Sequence, residues 1–350
     1  MDRRDQRIAN IPQRFWSLIN QIDHLQGQWI GGARLNPQAL GRLKRSTLVT
    51  SSGASTRIEG AKLSDSDVEK LMRGLAITKF ADRDKEEVRG YYELLENVFN
   101  SWKHIPFTES TIKHFHKELL KYVGKDVRHR GEYKKGENRV EMFDAQGKSL
   151  GIMFETTPAY LTPKQMQELV KWTQVALKDK EHHPLVAIAS FIVEFLAIHP
   201  FQDGNGRLAR ILTNLLLLKS GYAYVPYVSH EKLVEDNKAE YYLALRKSQS
   251  TFTSPRENIN SWLEFFLNVS LKQARQAIEL LSRENIEKLL SPKQLLVWKH
   301  LEQVPESTPG EIVKATGVAR PTVSQAVDVL LRLKQVERIG QGRTTRYRKV

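Results

Sequence analysis

Apolar residues recur at helical spacing along most of the chain. Gln13 to Gln26 carries Phe15, Leu18, Ile19 and Ile22 three or four positions apart, Leu40 to Leu48 continues the type, and Ser64 precedes another striped stretch at Val68 to Leu75. Asp84 to Lys103 predicts a further helix. Thr108 is placed to cap the next one, since a side-chain oxygen ahead of an apolar run can take an orphan N–H. Val186 to Ile198 brings Ile188, Phe191, Ile192, Phe195 and Leu196 together as a buried helix. Pro200 should end it at His199, because proline disfavours α geometry in the residue before it. Arg207 to Lys219 predicts the helix that follows, and Asn258 to Leu289 one or two connecting helices. The period shortens where Asn138 to Phe143 alternates weakly, Asp144 to Lys148 supplies a turn and Leu150 to Phe154 runs apolar, which predicts a hairpin.

Near the end of the chain, Pro292 to Gln303, Thr308 to Thr316 and Ala319 to Leu331 read as three helices, with Gly317 as a turn. Val336 to Ile339 and Arg343 to Arg348 flank Gly340-Gln341-Gly342 as a second hairpin. The expected fold class is therefore mainly α. An N-terminal helical region is expected over 1–105, a helical domain with a hairpin over 106–255, connecting helices over 256–290 and a separate domain over 291–350.

Composition narrows the chemistry. The 350 residues leave room for two or three domains, and the absence of cysteine excludes disulfides and thiolate metal sites. The first residues, Met-Asp-Arg-Arg-Asp-Gln-Arg, lack the apolar core of a signal peptide, and Leu212 to Leu218 is too short to span a bilayer. A cytoplasmic protein with no membrane contact is the expectation. A formal net charge of +14 points to an acidic partner. No sequence ends in Gly-Lys-(Ser/Thr) as a phosphate loop does, and no His-Glu-x-x-His pair occurs. His114 and His116 would face different sides of a helix and His182 and His183 sit at a helix start, so structural or solvated roles are expected for all four.

The chemistry concentrates at His199-Pro-Phe-Gln-Asp-Gly-Asn-Gly-Arg-Leu-Ala-Arg210. Gly204 and Gly206 permit backbone angles that let successive N–H groups converge on an anion at a helix N-terminus. Arg207 and Arg210, three residues apart, share one helix face and can grip further phosphate oxygens. Asp203 would add unwanted negative charge there unless it held a divalent ion, with Mg²⁺ bridging it to phosphate. His199 is left to accept a proton from an incoming hydroxyl.

This block resembles the signature of the Fic family and matches it at every defined position. The resemblance implies a Fic-type helical domain that transfers AMP from ATP to a protein hydroxyl, with His199 as base, Phe201 as core anchor and Asp203 as Mg²⁺ ligand. It further implies that Gly204, Asn205 and Gly206 cradle the α and β phosphates and that Arg207 and Arg210 contact the outer ones. Doc-like kinases of the superfamily have Lys where this chain has Gly206 and lack the second arginine, which favours nucleotidyl transfer over phosphorylation.

Three further segments resemble family features. Ser55-x-x-x-Glu59-Gly60 is similar to the inhibitory motif of many Fic proteins, in which Glu59 would pair with Arg210 and deny it to the γ phosphate. The hairpin after Tyr133 matches the family's flap, whose edge can hold a target strand near His199. Asn237 to Leu245 resembles the helix bearing paired tyrosines at the nucleoside, so Tyr241 or Tyr242 would stack on adenine, with Gln249 standing where relatives often carry Asn.

The last sixty residues look like a winged helix-turn-helix. That family reads the major groove with its third helix, here Arg320, Thr322, Ser324 and Gln325, and contacts phosphates with the wing, here Arg343, Thr345, Arg346 and Arg348. Two function classes stay open. One is a self-restrained AMP transferase acting on a Ser, Thr or Tyr hydroxyl of a target protein or of itself. The other is a DNA-binding regulator whose Fic domain senses nucleotide or only modifies itself. Removal of AMP with help from Glu59 is a third possibility, and the oligomeric state is left open.

Overall fold

The computed structural model describes residues 2–9, 11–32, 37–75, 81–143, 149–179, 181–252, 254, 257–333, 335–340, 342 and 345–350. The chain divides into two compact units, Met1–Ile278 and Glu279–Val350. The expected turn at Asp144 to Lys148 and the expected wing residue Arg343 lie outside the described residues.

The first unit begins with α1 (Arg3–Ile8), α2 (Gln13–Gly32), α3 (Pro37–Ile58), α4 (Asp65–Met72), α5 (Asp82–Ser101) and α6 (Glu109–Leu119). Strands β1 (Arg139–Phe143) and β2 (Ser149–Glu155) follow, then α7 (Thr162–Asp179), α8 (Pro184–Ile198), α9 (Asn205–Lys219), α10 (His230–Asp236), α11 (Lys238–Gln249) and α12 (Asn260–Leu289), within which the division between units falls. Local sequence sets several of these boundaries. Ser64 and Asp67 close a capping box at α4, Thr108 accepts the Thr111 N–H at α6, and His183 Nδ1 accepts the Leu185 N–H ahead of Pro184 at α8.

Helix α8 is apolar on every side, so it has to be enclosed. It is buried almost throughout, with α7, α9, α11 and α1 packed around it. Leu212 to Leu218 of α9 are likewise core residues, and no described helix is long and apolar enough to cross a membrane. Helix α1 is fastened to α8 by a buried ion cluster. Arg4 Nη2 lies 2.7 Å and Arg7 Nη1 2.9 Å from the two oxygens of Glu194, while Arg7 Nη2 reaches Glu257 at 2.6 Å.

One helix is much longer than its apolar pattern suggests. Helix α3 runs to Ile58 rather than Leu48 because its second half is buried through small hydroxyl residues, Ser51, Ser52, Ser55 and Thr56. Two satisfy themselves locally, Ser52 Oγ donating to Leu48 O at 2.7 Å and Thr56 Oγ1 to Ser52 O at 2.8 Å, while Ser51 bonds Ser229 Oγ at 2.8 Å and Ser55 accepts from Arg210, so polar composition does not exclude burial. The hairpin forms where expected, antiparallel, with Arg139 opposite Glu155 and Phe143 opposite Ser149.

The second unit holds α13 (Pro292–Gln303), α14 (Pro309–Thr316) and α15 (Arg320–Arg332), followed by β3 (Val336–Ile339) and β4 (Arg346–Lys349), which pair antiparallel. Gly317, at φ +68°, ends α14, and Trp298, Leu301, Ile312, Val323, Ala326 and Leu330 form the core. Strand β4 starts later than its sequence suggests. Thr345 departs from the expectation of a phosphate-facing residue: it is buried, and its hydroxyl accepts from Arg338 Nη2 at 3.2 Å.

Candidate active site

Helix α8 stops at His199, whose φ of 51° and ψ of 60° lie in the left-handed region. Among the described residues it is the one non-glycine with positive φ, and such a conformation persists only where neighbours enforce it. His199 Nδ1 lies 3.3 Å from Leu196 O. Burial, with the Lys134 charge adding to it, pushes the imidazole down to about 4 against the opposing pull of Leu196 O, Glu59 and Asp203. It is therefore neutral near pH 7, the state a base requires.

The loop after His199 is folded by its own side chains and by one from α6. Asn205 Oδ1 accepts the Phe201 N–H at 2.9 Å and its Nδ2 returns a bond to Phe201 O at 2.8 Å. The Asn205 amide is thus spent on the loop, and what it offers an anion is its backbone N–H in the first turn of α9. Phe201 is fully buried and stacks on His116 at 3.9 Å between centroids. His116 Nδ1 accepts the Gly131 N–H at 2.9 Å, which leaves Nε2 to donate to Asp203 O at 3.0 Å. Burial holds this ring unprotonated, down to about 4. Gly204, at φ 80°, is the N-cap of α9 and supplies no side-chain cap, so the first N–H groups of that helix face an open end where negative charge is favoured.

Glu59 occupies that place. Helix α3 ends just before it, and Gly60 at φ +106° turns the chain away. Arg210 Nη2 donates to Glu59 Oε1 at 2.7 Å and to Ser55 O at 2.9 Å, while Nε donates to Ser55 Oγ at 2.7 Å. A methyl group on Gly206 would stand 2.3 Å from Glu59 Oε1, so the carboxylate rests directly on the glycine of the anion nest. The guanidinium is almost fully buried, and although burial disfavours its charge, the Glu59 carboxylate keeps it firmly protonated. Arg210 Nη1 is buried and is engaged by neither Glu59 nor Ser55.

The second arginine belongs to another ion network. Arg207 Nη1 lies 2.8 Å from Glu87 and Nη2 3.2 Å from Asp203 Oδ2. Arg83, one turn before Glu87 on α5, reaches both Glu87 at 2.8 Å and Asp203 Oδ2 at 2.9 Å. Asp203 Oδ1 accepts the Gly204 N–H at 2.6 Å. Burial of Asp203 opposes ionisation, but Arg207, the Gly204 N–H and Arg83 outweigh it and hold the carboxyl below its usual range. No group of three or more metal-ligating side chains occurs among the described residues. A single ionised carboxylate beside two arginines would suit Mg²⁺ only if the ion kept its waters and took most other ligands from a bound phosphate.

The remaining expected residues are placed less evenly. Tyr241 is buried against Trp262 and Phe265, with ring centroids 5.7 Å away in each case, whereas Tyr242 is half-buried and lies edge-on to it at 5.1 Å. Gln249 is buried and donates to Val193 O at 3.2 Å. In the second unit Arg320, Ser324 and Gln325 are exposed on α15 and Thr322 is half-buried. Arg346 lies 3.0 Å from Glu306, and Arg348 pairs with Glu337, so both arginines of β4 already have acidic partners.

His116, Arg83 and Glu87 were not expected to serve the site. His116 gives no motif signal, because its partners are a backbone N–H and a carbonyl far away in sequence. Arg83 and Glu87 read as an ordinary solvated pair at four-residue spacing.

A model of the Fic/DOC family matches residues 106–217. A probable protein adenylyltransferase of Aquifex aeolicus is 33% identical over 84 residues, which are 24% of this chain and 25% of that protein. A Fido domain-containing protein of Dictyostelium discoideum is 33% identical over 106 residues, covering 28% of this chain and 67% of the relative. The chain thus spans about a quarter of the Aquifex relative it matches. A crystal structure of a Fic family protein from Desulfovibrio desulfuricans superposes with a TM-score of 0.62 at 24% identity, covering 97% of each chain, and shares the fold.

Proposed function

Since the chain belongs to the Fic/DOC family, we propose that it is a protein adenylyltransferase, moving AMP from ATP to a Ser, Thr or Tyr hydroxyl of a target protein or of itself. His199 takes the hydroxyl proton as the oxygen bonds to the α phosphorus, the bond to the bridging α–β oxygen breaks, and pyrophosphate leaves. The open first turn of α9 and Arg207 and Arg210 hold the phosphates. Asp203 would hold Mg²⁺, which when bound offsets the charge of the triphosphate. Tyr242, the less buried of the two tyrosines, is the better placed for the adenine face.

A single observation carries the regulatory part of the reading. The Glu59 carboxylate rests on Gly206 and bonds Arg210, in the place where a phosphate would meet the same groups. In this state the transferase is restrained by its own α3. The test uses ATP labelled at the α or at the γ phosphate, with Mg²⁺, on the wild type and on Glu59→Gly. Label retained only from α supports AMP transfer, and label only from γ would mean phosphorylation. His199→Ala should abolish labelling, and a His199→Ala protein that labels as well as its parent would overturn the mechanism.

For the second unit the proposed role is DNA contact by a winged helix. Support comes from three helices and a hairpin around one core, with Arg320, Ser324 and Gln325 exposed at the leading end of α15. The exposed pairs of Arg346 and Arg348 are weak enough to exchange for phosphate. Binding to duplex DNA that falls steeply with added salt is expected, and no association at low salt would end this reading.

A further inference from the structure

Lys134 is a buried lysine, 4% exposed, outside every motif described so far. Its Nζ donates to Asn138 Oδ1 at 2.7 Å, Thr156 Oγ1 at 2.8 Å and Ile198 O at 3.1 Å, so all three protons of the ammonium have acceptors. The third acceptor is the carbonyl directly before His199.

The same root of the hairpin reaches further along that backbone. Thr157 N donates to Ala197 O at 3.4 Å and Lys134 N to Pro200 O at 2.9 Å, while Asn138 Nδ2 reaches Phe201 O at 2.9 Å and His199 O at 3.4 Å. Five successive carbonyls, Ala197 to Phe201, thus accept from residues flanking β1 and β2. A backbone held at each carbonyl explains how His199 stays in its left-handed conformation. The charges that bear on the imidazole are Lys134 from the hairpin root, Glu59 from the end of α3 and Asp203 from its own loop, and Glu137 bears on Lys134. Lys134 is the cation among them.

We propose that Lys134 is a positioning residue for the base, tying the root of the hairpin to the loop that carries His199 and bringing its positive charge to bear on that ring. The proposal rests on the adenylyltransferase reading for its catalytic consequence, not for its structural one. Burial, opposed by Glu137, lowers Lys134 itself to about 8, so the ammonium is present through the range in which His199 must be neutral.

The test is made in the full-length Glu59→Gly chain. Proton titration of ¹³C-labelled histidine, with the His199 signal assigned by its loss in His199→Asn, reads the imidazole directly. Lys134→Gln keeps N–H donors but removes the charge, and should move the His199 midpoint upward by about one pH unit. Lys134→Arg should leave it in place. In the AMP-transfer assay the acidic limb of the pH profile should move with the midpoint, and kcat should fall roughly 10-fold while KM for ATP stays within about twofold. A His199 midpoint that does not move in folded Lys134→Gln, or that moves equally in Lys134→Arg, overturns the proposal. Should Lys134→Gln fail to fold, Asn138→Asp brings a carboxylate to the same ammonium and should again raise the midpoint, an unmoved midpoint counting against the idea. If the parent transfers no AMP, the adenylyltransferase reading falls, while the titration still decides the role of Lys134.

Discussion

Replacing Glu59 should release a measurable amount of nucleotide affinity, and the structure sets its size. The Arg210–Glu59 bond is 2.7 Å long, with the guanidinium 3% and the carboxylate 33% exposed. A hydrogen bond to a charged partner is worth about 1.5–3 kcal/mol. The exposed side of Glu59 is screened by water, which favours about 2 kcal/mol. Glu59 also follows the C-terminal end of α3, where the helix dipole disfavours a carboxylate by roughly 0.3–1 kcal/mol. The net hold is then about 1–2 kcal/mol, and removing it should improve productive ATP binding by roughly 5- to 30-fold. Calorimetric titration with Mg²⁺-ATP measures the affinity, and incorporation from α-labelled ATP measures the rate. Glu59→Gly should show the full gain. Glu59→Gln keeps the volume over Gly206 and an uncharged acceptor for Arg210, and should fall between the two. Affinity and rate within twofold of the parent in Glu59→Gly would refute the competition argument. A gain in rate with weaker ATP binding would place the restraint elsewhere.

Removing Arg83 from Asp203 should ease metal entry. The pair is half-exposed on the arginine side and worth at most about 1 kcal/mol, so Arg83→Ala should lower the Mn²⁺ concentration for half-maximal binding, read by electron paramagnetic resonance, by up to about fivefold. No change would show that Arg83 does not compete there. His116→Phe keeps the stack on Phe201 but leaves the Gly131 N–H and Asp203 carbonyl unpaired, and should cost roughly 2–4 kcal/mol in denaturant unfolding. Acid should destabilise the protein through His116 and His199. Both ring midpoints lie near 4 in the fold against 6.5 in the unfolded chain, so the unfolded chain binds protons first. Stability from each is complete above pH 6.5 and falls by about 3 kcal/mol as pH drops toward 4. Over that interval His199→Asn should show a shallower decline than the parent, and parallel curves would contradict the assignment.

Sequence reading found the elements whose burial is apolar and singled out one block of contiguous residues as the candidate site. Helix α8 announced itself through Ile188, Phe191 and Phe195, and the residues from His199 to Arg210 lie along one loop and one helix turn, so their spacing carries their geometry. Helix α3 was only half legible, because its buried hydroxyls are held by hydrogen bonds rather than by hydrophobicity, Ser52 and Thr56 to the helix's own backbone, Ser51 to Ser229 and Ser55 to Arg210. Lys134 could not be read at all, and His116 was read only as structural or solvated, not as a partner of the loop. Each acts on backbone carbonyls 64 to 87 residues away, and a carbonyl has no signature in sequence. For Asn205 the structure adds what spacing does not give, a side-chain amide bonded at both ends to the Phe201 backbone.

The charges of the site balance without any ligand, and this determines what kind of ligand can enter. Arg210 is paired with Glu59, Arg207 with Glu87 and Asp203, and Asp203 with Arg83. A buried arginine without a partner is strongly destabilising, so these carboxylates hold Arg207 and Arg210 in place in the absence of any ligand. The same pairs must then be exchanged rather than simply joined. A bare polyanion can replace Glu59 at Arg210, but it brings nothing to Asp203 and adds negative charge beside it. A polyphosphate that carries a divalent cation offers both signs at once, phosphate oxygens to the arginines and a cation to Asp203, and so matches the pairs it displaces. Because Arg83 sits on α5 and Glu59 at the end of α3, both displaced groups belong to the N-terminal helices. The packing of those helices therefore sets how readily the exchange proceeds.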